Sequence, residues 1–171
     1  MVLEQAFFGR SVFCVAEELL GAYLVRRTGG KTVRHVITEV EAYDGVEDKA
    51  CHASKGRTPR TEVMFGPAGR WYVYLCYGMH EILNIVTGPK EYPAAVLIRG
   101  THEVNGPGRL TKALDITRAL NTKPAIEKSG LWIEGSGIRV PEKEIVRTSR
   151  IGVAYAGEWA DKPWRFVWVS K

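Results

Sequence analysis

The segment HVITEVEAY, residues 35–43, brings three groups capable of proton chemistry close together: Glu39, Glu41 and Tyr43. Alternate residues of a strand share a face, so His35, Ile37, Glu39, Glu41 and Tyr43 fall on one side and Val36, Thr38, Val40 and Ala42 on the other. Two acids beside an aromatic ring have a bland reading, a half-exposed strand with solvated glutamates. They also have a chemical one. A carboxylate flanked by aromatic rings and partly withdrawn from water gains proton affinity, which is what a general base needs in order to activate a water molecule. Glu41, the nearer to Tyr43, is the better placed.

The local charge then reverses: Glu47 and Asp48 lead into Cys51 and His52, with Lys55, Arg57 and Arg60 behind them. A metal centre made from Glu39, Glu41, Cys51 and His52 is one reading. Adjacent Cys and His is an unusual chelating spacing, however, and no second pair completes the set, so no metal is expected. Farther on, WYVYLCYGMH gathers Trp71, Tyr72, Tyr74 and Tyr77. Core packing would account for such density. Alternation nevertheless puts Tyr72, Tyr74 and Cys76 on one face and leaves Tyr77 beside the Gly78 turn. An aromatic side chain at a hairpin tip can wedge into the minor groove and fill the gap left by an extruded base, while deeper rings stack on that base.

Those residues need a frame. Ser11 followed by Val12, Val15, Ala16, Leu19 and Leu20 predicts an amphipathic helix, with Gly21 as its C-terminal cap. Residues 22–27, Gly29-Gly30 and residues 32–43 predict a hairpin. Residues 70–77 and 82–87 predict two strands joined at Gly78-Met79, and residues 94–99 a further strand. Thr58-Pro59 and the stretch 107–117 carry helix signals, while 131–134 and 145–154 read as extended. Hairpin-like pairs outnumber strand-helix-strand alternations, which predicts one α+β domain over residues 1–171 on a mainly antiparallel sheet.

Composition adds bounds. The 171 residues are 45% apolar, enough for one globular core. The opening residues carry Glu4, Glu17 and Glu18 and lack the basic start and unbroken apolar run of a signal peptide. No stretch reaches the roughly 18 apolar residues of a membrane-spanning helix. The three cysteines, Cys14, Cys51 and Cys76, match no CxxC pair and are expected to be reduced thiols in a cytosolic compartment. A net charge of +5 hints at a polyanionic partner without establishing one.

Read in order, TEVEAY, the Glu47-Asp48 pair with His52 after it, GRTPR, MF, YVYLCYGMHEILNIV, AVLIR, GPGRL and RIGVAYAGEWADKPWRF resemble the alkyladenine (3-methyladenine, methylpurine) DNA glycosylase family. The resemblance runs from Phe8 nearly to the end. It implies a single mixed domain with a mainly antiparallel, partly barrel-like sheet, flanking helices and a protruding, DNA-inserting β-hairpin.

The chemistry it implies is flipping of alkylated or deaminated purines out of duplex DNA and hydrolysis of their N-glycosidic bond, leaving an abasic site. Those purines are 3-methyladenine and 7-methylguanine, extending to hypoxanthine and ethenoadenine. Carried onto this sequence, Glu41 activates the water and Arg99 is its partner. Tyr43 and Tyr74 enclose the flipped base, His52 hydrogen-bonds the nucleotide, Asn84 screens purines by crowding an exocyclic amine, and Leu97 lies along the pocket. Tyr77 is the wedge, with Arg57, Thr58, Arg60 and Met79 also on the DNA. The resemblance implies no metal or organic cofactor. Because the motifs hold no lysine in the pocket, a lyase step through a Schiff base is not expected.

The expected partner is double-stranded DNA containing damaged purines, met by a monomer with no membrane association. The expected location is the cytoplasm, on the nucleoid, in a bacterium, or the nucleus in a eukaryote. Glu81 and residues 123–128 depart from the family pattern, and residues 88–93 read as a connecting loop with no assigned role. Two other classes compete: an architectural minor-groove binder, which would have no use for Glu41 among aromatics, and a metal-dependent hydrolase using Glu39, Glu41 and His52, which EDTA would silence.

Overall fold

In the computed structural model, residues 1–169 are described. Two helices, Gln5–Phe8 (α1) and Val12–Leu19 (α2), come first. Val12, Val15, Ala16 and Leu19 are all buried, the stripe by which a helix lies on a core. Ser11 precedes α2 without donating or accepting a side-chain cap bond, and Leu20 rather than Gly21 occupies the C-terminal cap position.

Tyr23–Thr28 (β1) and Lys31–Asp44 (β2) make the first hairpin. Gly29 and Gly30 turn it with φ of +55° and +76°, backbone that other residues adopt only under strain. Trp71–Cys76 (β3) and His80–Val86 (β4) make the second, followed by Ala94–Thr101 (β5), Pro107–Ala113 (α3), Leu131–Glu134 (β6), Ile145–Thr148 (β7) and Arg165–Trp168 (β8). The result is a single α+β domain on an eight-stranded sheet, ordered β3-β4-β5-β2-β1-β6, with β8 added on β2 and β7 on β8. Every named strand ladder is antiparallel.

The sheet is open, in contrast to the partly barrel-like closure expected. Closure requires its two edge strands to bond to each other. The outer edge of β3 is instead taken by residues 121–125: the Trp71 N–H donates to the Lys123 carbonyl at 2.9 Å and the Thr122 N–H to the Trp71 carbonyl at 2.8 Å. The first part of the segment that departs from the family pattern, residues 123–125, thus belongs to an edge cover.

Three further expectations are corrected. Strict alternation along β2 fails, because a bulge between Ile37 and Glu39 shifts the phase. Ile37 consequently joins Val40 and Ala42 in the main core, while Glu39 and Glu41 leave on the other side. The extended reading of 145–154 holds only to Thr148; Arg150 turns inward and Ala154–Asp161 is 3-10 helix with a kink at Gly157. Thr58-Pro59 opens a turn leading to the 3-10 helix Glu62–Phe65, and α3 stops at Ala113, just before Asp115 at φ +49°.

The main core joins the α2 stripe to Leu83 and Ile85 of β4 and Val96 and Ile98 of β5. Trp71 lies wholly within it, its indole N–H donating to the Leu131 carbonyl at 3.0 Å. Among the described residues no helix is long and apolar enough to cross a membrane, and all three cysteines are free.

Candidate active site

Glu41 sits where β2 has neighbours on both edges, paired with Leu97 of β5 and Arg165 of β8. Its exposure is 0%. One carboxylate oxygen, Oε1, accepts the Ile151 N–H at 2.7 Å, and Oε2 accepts the Tyr43 hydroxyl at 2.7 Å. Arg99 Nη1 stands 3.6 Å from Oε1. Burial raises the proton affinity of Glu41 above the ordinary carboxylate value, while Arg99, the Ile151 N–H, the Tyr43 hydroxyl and Arg150 oppose that rise. An ionised carboxylate offers about four lone-pair directions, so capacity remains for a water on the cavity side.

Glu39 is not solvated. Its Oε1 accepts both Arg99 Nε at 2.9 Å and Arg165 Nε at 2.7 Å, which makes it the anchor that steers Arg99 toward Glu41.

A cavity of about 380 Å³ opens in front of Glu41 and collects every residue expected at the pocket: Tyr43, His52, Tyr74, Asn84, Leu97 and Arg99. The strand registers explain the convergence, since Asn84 pairs with Tyr72 across β3 and β4 and with Leu97 across β4 and β5. Asn84 is 3% exposed and donates from Nδ2 to the Tyr72 carbonyl at 3.2 Å. His52, at the start of the 3-10 helix His52–Lys55, meets the Tyr72 hydroxyl through Nδ1 at 2.7 Å and the Tyr74 ring edge-on at 4.7 Å between centroids.

Burial, then the nearby Arg60 and Lys55, lower the His52 pKa to about 4. The imidazole is therefore neutral at physiological pH. Between that value and the ordinary 6.5 the unfolded chain binds the extra proton, so folding stability rises with pH across this window. We expect His52→Gln to flatten that part of the stability profile. Thermal melts of both proteins from pH 4.5 to 7 check this, and parallel profiles would refute it.

The second hairpin ends on Tyr77 and Met79, 90% and 72% exposed. Tyr77 at φ +50° and Gly78 at φ +66° supply the two left-handed residues of a type I′ turn. The turn thus falls on Tyr77-Gly78, one residue earlier than the dipeptide expected, and holds the tyrosine ring out into solvent.

Among the DNA-contact candidates, Arg60 lies over the Tyr74 ring at 4.9 Å and lines the cavity. Thr58 lines a smaller adjoining hollow with Lys49 and Lys55. Arg57 is engaged elsewhere: Glu62 takes its Nε and Nη2 at 2.7 Å each and Glu91 takes Nη1 at 2.6 Å. Glu81, the acid out of pattern, accepts from Arg118 at 3.1 Å near the tip of the hairpin, where it pairs with Leu75. Among the described residues no three His, Cys, Asp or Glu side chains converge as metal ligands. Of the group considered, Glu39 is held by two arginines, and burial pushes the Cys51 thiol up to about 12.

Reading the sequence missed three contributors. Ile151 acts through its backbone N–H, which no side-chain pattern reveals. Tyr72 reads in the sequence only as part of an aromatic strand, though it is the partner of His52. Arg150 and Asp48 form a buried ion pair between residues 102 positions apart.

Comparison with known proteins points to one family. A family model described as Methylpurine-DNA glycosylase matches residues 6–105 and 100–171. A protein of Myxococcus xanthus, provisionally named 3-methyladenine DNA glycosylase, is 49% identical over 98% of this chain and 89% of its own length. Proteins given the same provisional name in Methanocella arvoryzae and Anaeromyxobacter dehalogenans are 47% and 44% identical. They cover 96% and 100% of this chain, and 91% and 87% of their own lengths.

Proposed function

Because the chain belongs to the methylpurine-DNA glycosylase family, we propose that it is a base-excision DNA glycosylase whose cavity receives a damaged purine flipped from duplex DNA. The observation that carries this reading is Glu41: a fully buried carboxylate, oriented by two hydrogen bonds, at the wall of an aromatic cavity. Glu41 accepts a proton from water as the water oxygen attacks the anomeric carbon. The C–N bond breaks and its electron pair leaves with the base. The products are a free purine and an abasic site.

A purine alkylated at N3 or N7 carries positive charge, which weakens its glycosidic bond and favours stacking on electron-rich rings by roughly 0.5–2 kcal/mol. Tyr43 and Tyr74 are the rings available to it. Hypoxanthine and ethenoadenine are neutral and leave less readily, so the charged 3-methyladenine and 7-methylguanine are the primary substrates of this account. His52, neutral and already bonded to Tyr72, is the group that hydrogen-bonds the flipped nucleotide. Asn84 and Leu97 bound the space for the base, and Asn84 crowds an exocyclic amine on normal purines. Arg60 and Thr58 face the phosphates, and the protein acts on duplex DNA as a monomer, without metal.

Tyr77 and Met79 enter the groove and occupy the vacated stack. Extrusion costs a few kcal/mol, and less where pairing is already damaged. Tyr77→Ala should therefore slow excision about ten- to a hundredfold from a well-paired duplex, the worth of one lost stacking contact, and less when the lesion is mispaired. Equal slowing in both duplexes would count against the wedge.

The function itself is tested with duplex oligonucleotides carrying one methylated purine or one hypoxanthine. Strand breaks that appear only after hot alkali, with no borohydride-trapped protein–DNA adduct, are expected. Breaks before alkali together with a trapped adduct would mean a lyase instead.

A further inference from the structure

Arg150 touches none of the proposed reacting groups through its own polar atoms, yet two working parts of the cavity depend on it. Its side chain is 0% exposed. Nη1 donates to Asp48 Oδ2 at 2.6 Å and to the Ala42 carbonyl at 3.0 Å; Nη2 donates to Asp48 Oδ1 at 2.9 Å and to the Trp159 carbonyl at 3.1 Å. The guanidinium plane lies against the Tyr43 ring at 4.8 Å and the Trp164 ring at 4.9 Å. Asp48 in turn accepts the N–H groups of Asp44 and Ala50 at 3.1 and 3.0 Å. One ion pair thereby ties the loop after β7 to the end of β2 and to the turn leading into His52.

The residue that follows is Ile151, whose N–H orients Glu41. Its side chain is 50% exposed and cannot fix its own position by burial. Gly152, next along, has a left-handed φ of +77°, and the chain is next anchored at Val153, buried with Ala50 and Ala156. The N–H on Glu41 is therefore held between that small apolar cluster and Arg150, the one charged anchor, which immediately precedes it. A buried charge pair is a costly way to hold a loop, since well-packed apolar residues commonly do so at least as well. What the pair adds is direction: a planar fork with fixed donor geometry.

We infer that Arg150, through its fork on Asp48, is a positioning residue that sets the Ile151 N–H on Glu41 and the ring of Tyr43. This inference rests on the glycosylase reading and adds to it. The groups facing Glu41 are Arg99 from β5, Tyr43 from β2, the Ile151 N–H and Arg150 itself. Loss of the Ile151 bond withdraws a donor that favours the ionised carboxylate, so the acid limb of the excision profile should move to higher pH.

The test is single-turnover excision at saturating enzyme across pH for wild type, Arg150→Lys and Arg150→Met. Circular dichroism and melting temperatures report folding, and lesion-duplex Kd is measured alongside. Arg150→Lys keeps the charge and loses the fork. It should slow excision about ten- to a hundredfold, as misplacement by about an ångström does, leave Kd within about threefold, and raise the acid limb by about one pH unit. Arg150→Met should show both effects more strongly. Asp48→Asn, which keeps the shape of the acid, carries the same reading where Arg150→Met does not fold.

Folded variants with wild-type rate and an unmoved acid limb would overturn the inference, as would slowing that merely follows the folded fraction. A wild-type protein that excises nothing would instead sink the glycosylase reading, which keeps the two failures apart.

Discussion

Glu41→Gln is expected to slow single-turnover excision by about 10²–10⁴-fold at neutral pH, the contribution of a well-placed general base. Lesion-duplex binding should change little, because the substitution alters proton transfer and not the shape of the cavity. The amide can be accommodated where the carboxylate was. Its oxygen can keep the Ile151 N–H, and the Tyr43 hydroxyl can rotate to accept from the new NH₂. Removal of a charge whose burial is unfavourable should leave the melting temperature equal or higher, the usual exchange of stability for function at an active site. Rate and melting temperature moving in opposite directions would distinguish a catalytic Glu41 from a structural one. A parallel loss of both would assign it to the fold.

Asp48→Ala carries the largest expected effect on stability. Both partners of the Asp48–Arg150 pair are fully buried, and removal of one side leaves a charge uncompensated, at a cost of about 3–5 kcal/mol. In a domain of this length that lowers the melting temperature by roughly 6–20 °C. Asp48→Ala combined with Arg150→Met should lose less than the two single changes added together, because the stranded charge is gone. A loss below about 1 kcal/mol, the level of an exposed pair, would mean that water reaches the site.

The fold was legible wherever local rules act without competition. Residues 131–134 read as extended and form β6, and the apolar spacing of 12–19 forms α2. The reading failed where the chain departs from a strict period or bonds at long range. The bulge at Ile37 and Glu39 costs one residue of phase, which composition does not encode, so Ile37 was placed on the wrong face. The open sheet follows from an irregular segment bonding to the outer edge of β3, and only tertiary structure reveals such a contact.

The candidate site divides in the same way. The residues gathered around the cavity are legible in the sequence because their types are distinctive and because the ordered motifs resemble one family. The atoms that orient them were not. The Ile151 N–H carries no residue signature, and the partners of Arg57, Glu62 and Glu91, become visible only once the chain is folded. The β2 face, with Glu39, Glu41 and Tyr43 together, is readable despite the irregular pairing with β5 because β2 keeps an unbroken register with β8 from Glu39 to Glu41.

The most direct measurement is mass-spectrometric detection of the base released from a duplex containing one methylated purine, incubated with the protein in EDTA. The intact methylated base is expected in amounts that match the abasic sites formed, with the DNA strand unbroken until alkali is added. Tight duplex binding with no base released would contradict it and favour an architectural minor-groove binder, and release that EDTA abolishes would favour a metal-dependent hydrolase.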